Sequence, residues 1–352
     1  MAVSSNAISS LAVNYADNLC QWDGQSAGHY EVWFLTLNQR ASGRGFWFRY
    51  GIEIPQASQK TSPSQAKLWA AFFDRKAAEN HVGLMQERPI ALFQCEKEQF
   101  NLQIADARLS SSQTTGRLEN DGHRISWDLH FTPNATTHQH IPRSFISLVR
   151  PSSFICSPNL DTRFTGGVEV DGKTIYIEDE PGCQTHLWGS KQVDEWLWVH
   201  SNAFDKYPDT VFEGLAARPR RAGATLPPIQ SFYLKHRGEE YRFRRLSFAE
   251  QWRKHLGIGF WTFSATNTRI YIEGSAQCRL RDMLQARHLD PDSEPIYAIN
   301  SEIANLKIRL YRRVGGFRWK HTETISAHST AHLEHASRNA DESIRLITRI
   351  NP

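Results

Sequence analysis

An all-β fold, with antiparallel barrels or a sandwich and few short helices, is what this 352-residue chain predicts. Three observations predict it. Short runs rich in aromatic and β-branched residues recur at hairpin spacing. Turn formers such as Asn38–Gly43 and Asp171–Gly172 separate them, and no strand–helix–strand rhythm appears. Aromatic residues make up 11% of the chain, with 11 Trp, a content that suits pleated, half-buried surfaces. The length exceeds that of a usual single core, so two domains or one large double-layered body is expected.

Residues 1–28 are small and polar and read as a flexible lead-in. His29–Leu37 and Gly45–Ile54 form a hairpin. Ala66–Asp74 is read as a strand because its neighbours are strands, although its alanines would permit a helix. Phe100–Ala107 and Arg124–Phe131 follow, the second alternating Ile125, Trp127, Leu129 and Phe131 inward. Ser110–Gly122 has the composition of a turn, and 132–159 that of a crossover with extended structure at Phe145–Val149. An N-terminal β-domain over 29–155 and a C-terminal one over 160–352 are the expected division.

In the second half, Gly166–Val170 and Thr174–Glu178 flank Asp171–Gly172, a strong two-residue hairpin signal. Strands are expected at Trp196–Phe204, Val211–Ala217, Ser231–Lys235, Glu240–Arg244, Phe260–Ser264, Arg269–Glu273, Tyr297–Asn300 and Leu306–Arg312. Phe248–Leu256 is the best short helix, and Asp341–Ile347 closes the chain as strand or helix.

Hydrophobic content of 40% and charge of 22% describe an ordinary globular protein. The net charge of +4 is too weak to argue for nucleic acid, and Arg218–Arg221 reads as a solvated loop. The five cysteines are scattered and never spaced CxxC, which argues against a disulfide framework or zinc knuckle. No apolar run approaches the roughly 20 residues that span a bilayer, so no stable membrane insertion is expected. The first 13 residues lack a basic, apolar leader pattern, and a cytoplasmic location is the expectation.

Function is sought in the stretch Gly182–Glu213. Trp196, Trp198, His200, Asn202 and Phe204 share one face of a period-two strand, while Leu197, Val199, Ser201 and Ala203 share the other. Neither face carries a full charge, as in a wall with a packed side and a cavity side. His186, His200 and Glu213 are the candidate proton-moving groups, because imidazole titrates near neutrality and a carboxylate can orient it. Trp188, Trp196, Trp198, Asn202 and Phe204 are the candidate ligand-binding residues, and indole faces can stabilise a developing positive centre by about 0.5–2 kcal/mol each. The competing reading makes His186 and His200 satisfied core histidines. Asp194, Glu195 and Glu273 are acidic candidates near aromatic strands, of which the first two read as turn or rim acids.

His328, His332 and His335 would align on a helix, and His138 with His140 on a strand face. Zinc usually needs a tighter, supported set, and the segment reads equally well as a polar strand, so no metal and no cofactor are assigned. Gly166–Gly167 and Gly315–Gly316 are turn glycines, with neither GxGxxG nor GKT spacing. GxSxG, HExxH and paired carboxylates are absent from the sequence.

Asp171–Gly172, Thr185–Gly189 (THLWG), Trp196–Phe204 (WLWVHSNAF) and Phe212–Leu215 (FEGL) together resemble the signature of the tocopherol cyclase and carotenoid 1,2-hydratase group. That calycin-like superfamily includes AttH- and CrtC-like proteins and fungal lipocalin-like Diels–Alderases. His29–Phe34, Leu68–Asp74 and Asn300–Ala304 extend the likeness more loosely. The resemblance implies two lipocalin-like antiparallel β-barrel domains in tandem, with an apolar ligand in a barrel or at their junction. It further implies a cyclase, isomerase or hydratase acting on a hydrophobic terpenoid- or polyketide-like molecule. Two departures separate the chain from particular members. Tyr233–Lys235 lacks the acid of the hydratases' Tyr-x-Asp, and Gln184–Leu187 stands where cyclases carry Glu-Lys-Asn.

A non-catalytic carrier or sensor of an apolar ligand is the rival reading, since such barrels often only bind. A third possibility is an interaction module whose aromatic face is plain core.

Overall fold

Strands with two apolar faces dominate the computed structural model, which describes residues 16–59, 62–120, 122–140, 151–221, 224–225, 228–246, 256–316 and 318–350. A thirteen-stranded sheet runs from Thr348–Ile350 through Val82–Pro89, Gln65–Asp74, Arg44–Ile54 and His29–Gln39. It continues through Lys173–Gly189, Ser153–Val170, His123–Phe131 and Gln113–Asn120 to Phe93–Cys95. A ten-stranded sheet runs from Glu239–Leu246 through Ile229–His236, Val211–Arg218 and Glu195–Ser201. Its other half is Arg318–Ser337, Pro295–Gly315, Ile270–Gln277, Phe260–Thr266 and Leu256–Gly257. Nearly all pairings are antiparallel; Thr348–Ile350 adds in parallel to Val82–Pro89. No helix of the described residues is long and apolar enough to cross a membrane.

Each sheet curls around a core of its own. Trp33, Leu35, Phe46, Phe48, Leu68 and Trp127 fill the first, and Leu197, Val199, Phe212, Phe232, Trp261 and Leu333 fill the second. Pairing leaves free edges among the described residues of each sheet, so the curl does not close as two complete barrels. A third core lies between the sheets. Tyr30, Val32 and Phe34 alternate with Trp33 and Leu35 and face outward from the first curl, against Trp198, Leu215 and Ile303 of the second sheet. This is why so many strands avoid charge on both faces: each serves two cores. The sheets approach closely, and a Cβ added at Gly45 would meet Glu302 Cβ at 2.5 Å.

The chain passes from the first sheet to the second between Gly189 and Glu195, because Ser153–Val170 and Lys173–Gly189 pair inside the first sheet. These form one long hairpin turned by Asp171 and Gly172, both at positive φ as a two-residue turn requires. Ser110–Gly122 is largely strand (Gln113–Asn120), with Thr114 and Leu118 buried on one face despite their polar neighbours. Phe100–Ala107 is broken by a turn at Ala105, whose φ is 50°. Tyr297–Asn300 and Leu306–Arg312 belong to one bulged strand, Pro295–Gly315. The end of the expected lead-in is packed: Asp17 and Asn18 are buried, and Trp33 Nε1 donates to the Asn18 carbonyl at 3.0 Å. The expected helix at 248–256 and the extended piece at 145–149 lie outside the described residues, except that Leu256 opens a short strand.

Candidate active site

A pocket of about 100 Å³ opens in the layer between the sheets. Its walls are apolar, from Tyr30 and Phe34 on one side to Trp196, Trp198 and Leu215 on the other. Strand alternation brings these together, since Tyr30 and Phe34 share the outward face of His29–Gln39 and Trp196 and Trp198 that of Glu195–Ser201. Phe34 meets Trp198 edge-on, with ring centroids 5.4 Å apart at 85°, a favourable aromatic arrangement.

Two polar pairs interrupt this surface. Tyr30 Oη lies 2.5 Å from Ser153 Oγ. Trp196 Nε1 donates to Glu334 Oε1 at 2.6 Å, and Glu334 lines the pocket. Burial pushes the Glu334 carboxyl above its ordinary range, more than the Trp196 N–H and the Arg49 guanidinium pull it down. Glu302, fully buried nearby, is pushed up further by desolvation and by the like charge of Glu334.

Behind Trp198 lies a buried polar cluster. Trp198 Nε1 donates to Glu213 Oε1 at 2.9 Å, and Ser157 Oγ donates to the same oxygen at 3.0 Å. His140 Nε2 stands 3.3 Å from Glu213 Oε1, and His138 Nε2 3.7 Å from Oε2. Burial alone would raise the Glu213 carboxyl, but His140, His138 and His200 hold it well below the usual carboxylate range. His200 donates from Nε2 to the Leu160 carbonyl at 2.9 Å, and desolvation lowers its pKa.

The tocopherol cyclase-like family profile matches residues 27–336, on which the strands forming this pocket lie. The chain belongs to the tocopherol cyclase-like family. An uncharacterized protein of Mycobacterium tuberculosis strain H37Rv (Rv0493c) is 24% identical over 312 residues, 86% of this chain and 85% of that protein. Among solved structures, kievitone hydratase from Nectria haematococca superposes with a TM-score of 0.52 at 8% identity, covering 96% of this chain and 95% of that one. CghA gives a TM-score of 0.49 at 11% identity, over 93% and 94% of the two chains. The likeness to kievitone hydratase establishes a shared fold.

This tocopherol cyclase-like chain distributes the residues singled out in its sequence over three places. Trp196 and Trp198 line the pocket. Glu213 and His200, directly opposite each other on paired strands, lie behind Trp198 and not in the pocket wall. His186 is elsewhere: its Nδ1 bonds the Asp17 carbonyl at 2.8 Å and its Nε2 Glu31 at 2.9 Å, between the rings of Trp33 and Trp188. Trp188 stacks on Phe154 and is not part of the pocket wall. Asn202 bridges the sheets, donating to the Gly182 carbonyl at 3.0 Å. Phe204 joins the core of the second curl, because the strand ends at Ser201 and the chain bends there, cancelling the alternation. The tryptophan face is therefore the inter-sheet layer, not a barrel lumen. His328, His332 and His335 separate likewise, His328 pairing with Asp205, His332 with Asn38 and His335 with Glu195.

Tyr30, Phe34, Ser153 and Glu334 were not legible as pocket residues. The signal for the first two was present in HYEVWFLTL, whose two faces are both apolar. Glu334 gave none, since its neighbours His332 and His335 read as a polar strand.

Proposed function

We propose that this protein is an acid–base enzyme of the cyclase, isomerase or hydratase type, acting on a hydrophobic terpenoid- or polyketide-like molecule held between the two sheets. The observation that carries the reading is Glu334: a carboxyl pushed toward its protonated form, fixed by an indole N–H, on the wall of an aromatic pocket. In this reading Glu334 delivers a proton to an alkene or oxygen of the bound molecule. The faces of Trp196 and Trp198 stabilise the positive charge that develops. The Tyr30–Ser153 pair orients the guest's polar end, and the apolar walls keep the remainder folded and dry. Family membership and the fold shared with a kievitone hydratase support the reaction class. Glu213, His200 and His186 act as positioning groups that hold the wall and do not touch the guest.

The test starts from the full chain as purified. Organic extraction and mass spectrometry identify what it carries, and that molecule or its precursor is offered to the wild type and to Glu334→Gln. The reading predicts turnover by the wild type and its loss in the variant, with binding kept. Tight binding with no turnover by the wild type would make the protein a carrier.

A further inference from the structure

The cluster behind Trp198 gathers two imidazoles and a carboxylate from both sheets. His138 and His140 are alternate residues at the strand His138–Gln139, which pairs with Ser153–Val170 in the first sheet. Glu213 comes from Val211–Arg218 in the second sheet. One ligand atom from each of the three lies within 4.8 Å of the others, and all three residues are buried. The imidazole-to-carboxylate separations are 3.3 Å to Oε1 and 3.7 Å to Oε2, the second beyond the usual span of an N–H···O bond, about 2.7–3.2 Å. Separations of this order leave room for an ion, since two ligands of a tetrahedral zinc with bonds of about 2.0–2.2 Å stand about 3.3–3.6 Å apart.

We propose that His138, His140 and Glu213 form a binding site for a zinc-class divalent ion that ties the two sheets together. Two imidazoles and one carboxylate suit zinc or its first-row neighbours and not magnesium or calcium, which take oxygen donors. The carboxylate is already oriented from outside, as metal ligands commonly are: Trp198 Nε1 and Ser157 Oγ both donate to it. A second cluster, Cys183, His200 and His332, is a poorer host, because Thr36 Oγ1 already bonds both Cys183 Sγ and His332 Nδ1. The inference is independent of the reaction proposed above, because none of the three ligands lines the pocket.

The test uses the full-length chain, stripped with chelator and titrated with Zn²⁺ by calorimetry and with Co²⁺ by absorption. One equivalent of Zn²⁺ should bind and raise the unfolding temperature, increasingly so with concentration. Co²⁺ should give visible d–d bands without a near-ultraviolet thiolate band. Glu213→Gln and His140→Gln should each weaken Zn²⁺ binding by more than about 100-fold, above the loss expected from removing a supporting partner. Cys183→Ala should leave it unchanged. If a variant fails to fold, the wild-type spectrum decides alone. A thiolate band would place the ion at Cys183, and absence of stoichiometric binding would remove the site; either result overturns the proposal.

Discussion

Trp198 donates its indole N–H to Glu213 across 2.9 Å, so the ring that walls the apolar pocket is anchored by the polar cluster behind it. One side chain thus belongs to two environments: its face meets the pocket and Phe34, and its edge meets a buried anion. Replacing it by Phe keeps most of the wall and removes the donor. A charge-assisted bond to a buried carboxylate contributes about 1.5–3 kcal/mol. Trp198→Phe should therefore lower stability by about that amount in urea melts. A change below about 0.5 kcal/mol would mean the bond does not anchor the ring.

Glu334→Gln separates chemistry from binding. If Glu334 is the acid, turnover falls by about 10²–10⁴-fold while ligand affinity changes only a few-fold. The sign of the pH dependence follows from its raised carboxyl. Activity is full where Glu334 is protonated and falls as pH rises through a value above the ordinary carboxylate range. The variant should lack that limb in a kcat-against-pH profile.

Glu31 and His186 make a stability prediction and not a catalytic one. Desolvation raises the Glu31 carboxyl, but His186, His29 and the Gln21 backbone N–H outweigh it and hold the pKa at about 2, below the ordinary 4.5. A carboxyl with a depressed folded-state pKa stabilises the fold above its unfolded value and loses that contribution as pH falls through its folded one. Unfolding midpoints should drop as pH falls from about 4.5 toward 2, and Glu31→Gln should flatten that drop. Equal acid sensitivity in both proteins would show that the pair does not set it.

Trp196 and Phe204 should behave oppositely, although they shared one predicted face. Trp196→Ala removes pocket wall and should weaken ligand binding by roughly 10–100-fold, the equivalent of about 1.5–3 kcal/mol of lost apolar contact. Phe204→Ala opens the core of the second curl and should cost about 3–5 kcal/mol of stability, leaving the affinity of the folded protein unchanged. Fluorescence titration beside thermal melts distinguishes them.

The contrast shows what the sequence could convey. Period-two patterning placed Trp196 and Trp198 on one face correctly, and Asp171–Gly172 marked its turn, because both signals are local. The bend after Ser201 is set by contacts with the first sheet, through Asn202 and the Gly182 carbonyl, and no local pattern announces it. Assignment of Ser153–Gly189 to the first sheet depends on pairing with His29–Gln39 and His123–Phe131, each far away in sequence. Glu334 sits opposite Trp198 only through the pairing of Arg318–Ser337 with Glu195–Ser201. His138, His140 and Glu213 likewise meet only where two sheets touch.

The central claim is that the guest lies between the sheets and not inside either curl. A crystal structure of the full chain with its co-purified or soaked apolar ligand tests it most directly. The account predicts density against Trp196, Trp198 and Tyr30, with a ligand atom within hydrogen-bonding reach of Glu334. Density inside either curl, among Phe46 and Trp127 or among Phe212 and Trp261, would contradict it.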